Sequence, residues 1–148
     1  MNRKARFLLS RKALLGQYAT LEGFADMVSY SFKTNPVVGL QLERHTKCLF
    51  TLHATEHLDF LKEKNRVILF GQGWDEDTLK RLFAAGVRRF AIDNEPDLDA
   101  LLTYIAREHM KIDLFVRIKL KEHSIHTGKH FVYGLSVDRA NELIPRLR

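Results

Sequence analysis

Val28-Ser29-Tyr30-Ser31-Phe32-Lys33-Thr34-Asn35-Pro36 decides how the rest of this chain is read. Side chains alternate across a strand, so Val28, Tyr30 and Phe32 fall on one face and Ser29, Ser31 and Lys33 on the other. The extended run 28–33 then meets Asn35 and Pro36, a turn ahead of a helix that runs through Arg44. One face of the strand is apolar. The other is small and polar, and it ends in a lysine.

The same unit repeats outward in both directions. Upstream, 6–10 reads as a short strand and 11–22 as a helix with Leu14, Leu15, Tyr18 and Leu21 on one side. Downstream, 48–53 is a strand and 54–63 a helix; 66–70 is a strand, with Gly71-Gln72-Gly73 turning the chain into a helix over 75–85. The strand 88–93 ends at Asn94, an N-cap ahead of Pro96, and Leu98, Leu101, Leu102 and Ile105 follow at helical spacing. A strand over 112–120, a polar loop and a helix from Ser136 complete the series. Strands alternating with helices imply parallel βα units, with 28–33 and 112–120 as the edges.

The face pattern recurs in each unit. Phe50 and Leu52 oppose Thr51 and His53; Phe90 and Ile92 oppose Arg89, Ala91 and Asp93; Leu114, Val116 and Ile118 oppose Phe115, Arg117 and Lys119. A sheet covered by helices on both faces is apolar on both. Polar residues on one face alone predict a barrel with its helices outside, here a partial (β/α)8 TIM barrel of about five βα units. Function in such a fold belongs at the carboxy-terminal ends of the strands, where Lys33, His53, Asp93 and Arg117 point inward. A lysine and an arginine there call for something anionic.

Composition narrows the classes. The chain has 148 residues, 45% of them hydrophobic, enough for one globular core. No apolar run approaches the roughly 20 residues of a membrane span. The basic start, Met1 to Leu15, has too short an apolar cluster for a secretory signal. The net charge of +6 is spread along the chain rather than massed on one element, which argues against nucleic acid. No dinucleotide fingerprint or P-loop follows any strand. The single Cys48 has no internal disulfide partner and suits a cytoplasmic location. His123, His126 and His130 lack a matching carboxylate or thiolate pattern, so they read as a solvated loop and no metal is expected.

Tyr30-Ser31-Phe32-Lys33-Thr34-Asn35-Pro36 resembles the cofactor-lysine motif of the ornithine/diaminopimelate/arginine decarboxylases and alanine racemases, the fold type III pyridoxal-phosphate enzymes. Further segments are similar in order and spacing: Phe7 to Leu14, Ala54-Thr55-Glu56, Ile68 to Leu79, Ile92-Asp93-Asn94-Glu95, Val116-Arg117-Ile118 and Tyr133-Gly134-Leu135-Ser136. Three positions depart from the family's pattern, Phe50, Trp74 and Val132. The resemblance implies an alanine racemase-like barrel over 1–148 that lacks the later strands and the β-domain. It implies pyridoxal 5'-phosphate as cofactor, Lys33 as its Schiff-base residue, and Arg117, Asn35 and His53 on the cofactor side. An amino acid of the ornithine, lysine, arginine or diaminopimelate class is the implied substrate. A second polypeptide or a homodimer would supply the rest. A catalytically silent homologue acting through a partner, or a racemase-like protein, is the alternative. Each residue also has a plainer reading. Lys33 reaches solvent, Arg117 pairs with Asp93, His53 fills space, Asn35 shapes the turn, and Glu56 favours a helix start.

Overall fold

The computed structural model describes residues 8–119 and 133–147. It is an α/β fold with one parallel sheet. The strands are β1 (Ser29–Ser31), β2 (Leu49–Leu52), β3 (Val67–Leu69), β4 (Arg89–Ile92) and β5 (Asp113–Val116), and they pair in chain order from β1 to β5. The helices are α1 (Arg11–Glu22), α2 (Pro36–His45), α3 (Glu76–Ala84), α4 (Glu95–Arg107) and α5 (Val137–Leu143). Among the described residues none of these is long and apolar enough to cross a membrane.

Strand order fixes where the core lies. Right-handed crossovers between successive neighbours carry every helix to the same face. Phe50, Leu52, Val67, Leu69, Phe90 and Ile92 point to that face and form one cluster with Leu42, Leu79, Leu82, Phe83, Leu98 and Leu101. Residues of the opposite parity stay out of the cluster and mix polar side chains with the buried Ile68 and Ala91. Ser29 Oγ lies 2.7 Å from Thr51 Oγ1, and Arg89 Nε lies 3.0 Å from Asp113 Oδ2. The sheet is open among the described residues, with β1 at one edge.

Local chemistry sets the helix starts. Ser10 accepts from Ala13 N, Asn35 from Val37 N and Val38 N, Asp75 from Thr78 N, Asn94 from Asp97 N, and Ser136 from Arg139 N. Each cap satisfies amides that have no intrahelical partner. The expected strand over 6–10 lies partly outside the described residues, and 8–10 form none.

Three expectations need correction. The strand expected over 28–33 stops at Ser31, and Phe32–Thr34 is a turn of 3-10 helix. Phe32 is fully buried against Phe50, with ring centroids 6.2 Å apart at 88°. Phe32 thus keeps the core face its parity predicts, while the 3-10 turn that begins there leaves Lys33 just beyond the strand. Second, 54–63 is not an α-helix but a 3-10 segment, Thr55–Phe60, followed by another at Lys64–Arg66. The buried carboxylate of Glu43 takes the amides of Lys62 (2.6 Å) and Glu63 (3.0 Å), which an α-helix would need for itself. Leu58 and Leu61, three apart, suit the tighter helix and are both buried.

Third, the β5 edge is not bare. Ile118 and Leu135 form a parallel bridge, with Leu135 N donating to Arg117 O (2.9 Å) and Lys119 N to Leu135 O (2.8 Å). Gly134 permits this approach: its φ is +119°, and a Cβ there would stand 2.9 Å from Arg117 O.

Candidate functional site

Four side chains follow directly on strand ends. His53 follows β2, Phe70 β3, Asp93 β4 and Arg117 β5, while Lys33 stands two residues beyond β1. The sheet's bonding continues through them, with Phe70 N donating to Leu52 O (2.7 Å) and Arg117 N to Ile92 O (2.8 Å). Residues at the end of each strand point to the helices, so the next ones turn to the other face. Parity thus gathers them at one end of the sheet.

Phe70 is the floor of this arrangement. The His53 ring lies against it at 5.3 Å, and the Arg117 guanidinium sits 5.6 Å from its centroid. Tyr133 covers Arg117 from another side, with its centroid 5.8 Å away. Such cation–π contacts fix the guanidinium while leaving its edge free to donate.

Behind Arg117 is a polar network built on the buried carboxylates of Asp93 and Asp97. Gln72 Nε2 donates to both oxygens of Asp93, at 3.1 and 2.9 Å, and Asn94 Nδ2 donates to Oδ1 at 3.0 Å. Asp93 Oδ2 stands 3.9 Å from Arg117 Nη1, so the plainer reading of this pair holds as a loose ion pair. Asn94 Nδ2 also reaches Asp97 Oδ2 (2.5 Å), whose other oxygen accepts from Gly73 N (2.8 Å) and Trp74 N (3.3 Å). A cavity of about 470 Å³ opens beside the network, bounded by Gln72, Asp93, Lys119 and Tyr133. A larger one, about 1090 Å³, lies at the opposite end of the sheet between α1 and α2 and contains none of these groups.

The His53 imidazole is held below its ordinary pKa, first by partial burial and then by the positive charges of Lys33 and Arg117. The sign for stability follows from linkage. As pH falls below the ordinary histidine value of about 6.5, the unfolded chain takes up the proton first. Stability is therefore lost as pH falls through the window between that value and the lower folded one, and the loss levels off beneath it. We expect the His53 ring resonances to titrate below the ordinary histidine midpoint, and Lys33→Ala to move that midpoint up. An unshifted midpoint in both proteins would contradict the clustering.

The remaining sequence candidates stand elsewhere. The Asn35 side chain caps α2, and its carbonyl accepts from Tyr30 Oη at 3.2 Å, so it shapes the turn that carries Lys33. Glu56 is exposed in the first turn of the 3-10 segment, and Trp74 and Phe50 are buried in the core. His123, His126, His130 and Val132 lie outside the described residues, among which no group of three metal-ligating side chains occurs. Sequence reasoning missed Phe70 and Gln72. Phe70 shares the parity of His53 and Arg117, and extending the face analysis to the 66–70 strand would have found it.

No family model matches the chain, and no curated protein matches it. Among solved structures, it is similar to lysine/ornithine decarboxylase from Vibrio vulnificus, in its complexes with putrescine and with cadaverine. Both superpose with a TM-score of 0.67, at 19% and 20% identity, over 92% of this chain and 36% of theirs. The likeness is one of fold, and this chain spans little more than a third of those proteins' length.

Proposed function

We propose that this chain is the amino-terminal part of a fold type III pyridoxal-phosphate-dependent amino-acid decarboxylase, and that its open sheet is an arc of a (β/α)8 barrel. The observation that carries the reading is Lys33, exposed at the end of β1 and sharing that end of the sheet with His53 and Arg117. Sequential parallel order with all helices on one face supports the arc, as does the fold shared with lysine/ornithine decarboxylase. The lysine, ornithine, arginine or diaminopimelate class is the substrate under this reading. A cytoplasmic location belongs to it too, supported by the lone, buried Cys48.

The donor set suits the cofactor. Lys33 offers a primary amine to an aldehyde, and the neighbouring cations suit an anionic partner. When bound, pyridoxal phosphate supplies the electron sink that accepts the bonding pair left as carbon dioxide departs. Lys33 would hold it, Asn35 and Phe32 fix the turn on which Lys33 sits, and Arg117 and His53 lie on the cofactor side. The open mouth leaves Lys33 in water, which favours release of the aldehyde over its retention.

The test is borohydride trapping. Pyridoxal phosphate followed by reduction is expected to label Lys33, identified by peptide mass, with that label absent from Lys33→Ala. Random labelling of exposed lysines at equal levels would sink the reading. A second reading, a silent homologue acting through a partner, is favoured by α1, which buries no residue, carries the exposed Leu21 and is flanked in sequence by the exposed Leu8, Phe24 and Met27. Under it, Lys33 labels weakly and the chain self-associates or co-purifies with a second polypeptide.

A further inference from the structure

We infer that the β1 edge of the sheet is an interaction surface for a second copy of this chain, met by antiparallel pairing of β1 with β1 about a two-fold axis normal to the sheet. The inference goes beyond the decarboxylase reading and does not depend on it, since it rests on the backbone of β1 and the segments that flank it. The two edges of the sheet differ. At the β5 edge Leu135 bridges Ile118, and the strand itself carries Asp113. Cover and charge of that kind discourage strand addition. β1 has neither. It pairs with β2 alone, no described strand lies beyond it, and Val28-Ser29-Tyr30-Ser31 contains no charge, proline or glycine. The Val28 carbonyl accepts from Leu49 N on β2 at 2.9 Å, so alternation turns the amides and carbonyls of Ser29 and Ser31 outward. A two-fold normal to the sheet keeps the helices of both copies on one side and opposes residues of the same parity. With Tyr30 on the axis, Ser29 of one copy meets Ser31 of the other, and each such pair joins outward amides to outward carbonyls.

The flanking segments supply the complementarity. Antiparallel pairing brings the stretch that leads into β1 of one copy beside the turn that follows β1 of the other. The first stretch exposes Phe24 and Met27, and the segment after the turn exposes Val37. Apolar side chains thus meet apolar side chains, and water leaves both. Asp26 lies in the first stretch and Lys33 in the turn. Both are exposed, and neither has an ion pair among the described residues. The two-fold sets each Asp26 toward the Lys33 of the other copy, on both sides of the axis. No charge within 28–31 opposes its like across the pairing.

The test is the mass of the full chain by sedimentation equilibrium over a concentration series. A closed dimer is expected, because a two-fold contact uses up its own edge. Ser29→Pro removes an outward amide, a change that edge strands accept, and it should weaken dimerisation by about tenfold or more. Asp26→Lys should weaken it by a few-fold, as an exposed pair does. Asp26→Lys combined with Lys33→Glu should restore it, because the pair re-forms with its signs exchanged. Urea denaturation establishes that each variant is folded, and if Ser29→Pro is not, the charge exchange decides alone. A monomer throughout the series overturns the proposal, whether or not it captures a different polypeptide. So does open-ended assembly, a dimer unmoved by a folded Ser29→Pro, or a double variant no tighter than Asp26→Lys. Borohydride labelling of Lys33 in the wild type is scored separately. Its failure removes the cofactor reading and leaves the dimer standing, while a monomer that labels at Lys33 does the reverse.

Discussion

Asp97→Ala is expected to lower the stability of the folded chain by about 3 kcal/mol, a large share of what a domain of this size has. Asp97 is buried, and it ties two loops together. One oxygen accepts from the amides of Gly73 and Trp74, and the other from Asn94 Nδ2. Removing the carboxylate strands those donors, two of them on the turn between β3 and α3. Leaving a buried donor unsatisfied costs about 1–3 kcal/mol each, partly recovered where water can reach. Asp99, two residues on, is the control. It pairs with Arg146 at 2.9 Å, but both side chains are more than half exposed. A pair screened in that way contributes about 0–1 kcal/mol, so Asp99→Ala should be nearly silent. Urea denaturation of both variants decides the matter. Equal costs would mean that the buried Asp97 carboxylate does not hold the turn.

The same network reaches the candidate site. Gln72 belongs to the turn that Asp97 holds, and Gln72 in turn holds Asp93 beside Arg117. Asp97→Ala should therefore loosen the Asp93–Arg117 pair as well as the fold, whereas Asp99→Ala should disturb neither.

What could be read from the sequence divides along a physical line. The repeating βα units, the bounds of α1 and the Asn94 cap rest on periodicity and on contacts within a few residues, and all were legible. Parity along each strand was legible too, and it suffices to place His53, Asp93 and Arg117 at one end of the sheet. The failures each have a distant cause. Glu43 on α2 withdraws the Lys62 and Glu63 amides from the helix expected over 54–63. Leu135 bridges Ile118 across a long intervening segment, which no local pattern announces. The Arg117 side chain is fixed by rings from two separate segments, Phe70 and Tyr133, so its orientation was invisible in the strand that bears it. The end of β1 was misjudged by two residues, because Phe32 reaches the core face its parity predicts from a 3-10 turn rather than from a continued strand.

Phe32→Ala should cost about 3–5 kcal/mol, as expected for an aromatic ring removed from a filled core. The Phe32 ring is fully buried, edge-on to Phe50 and within 5.8 Å of His57 and 6.2 Å of Phe60 by ring centroid. It also rests on Gly39 of α2, where a Cβ would lie 2.6 Å from both Cδ2 and Cε2. This contact makes a sharper test than the single loss. Alanine is better than glycine in a helix by about 1 kcal/mol. In the wild type the clash with a ring that has nowhere to go outweighs that gain, and Gly39→Ala should destabilise by about 1–3 kcal/mol. In the Phe32→Ala background the ring is gone, the clash vanishes, and the same substitution should stabilise by up to about 1 kcal/mol. The sign of one mutation is thus set by another residue. The consequence extends to Lys33, because the Phe32 anchor holds the turn from which it projects. Phe32→Ala should leave Lys33 less selectively labelled than other exposed lysines, even where the variant remains folded. If Gly39→Ala costs the same in both backgrounds, the ring does not occupy the space over Gly39, and the anchor for Lys33 is lost with it.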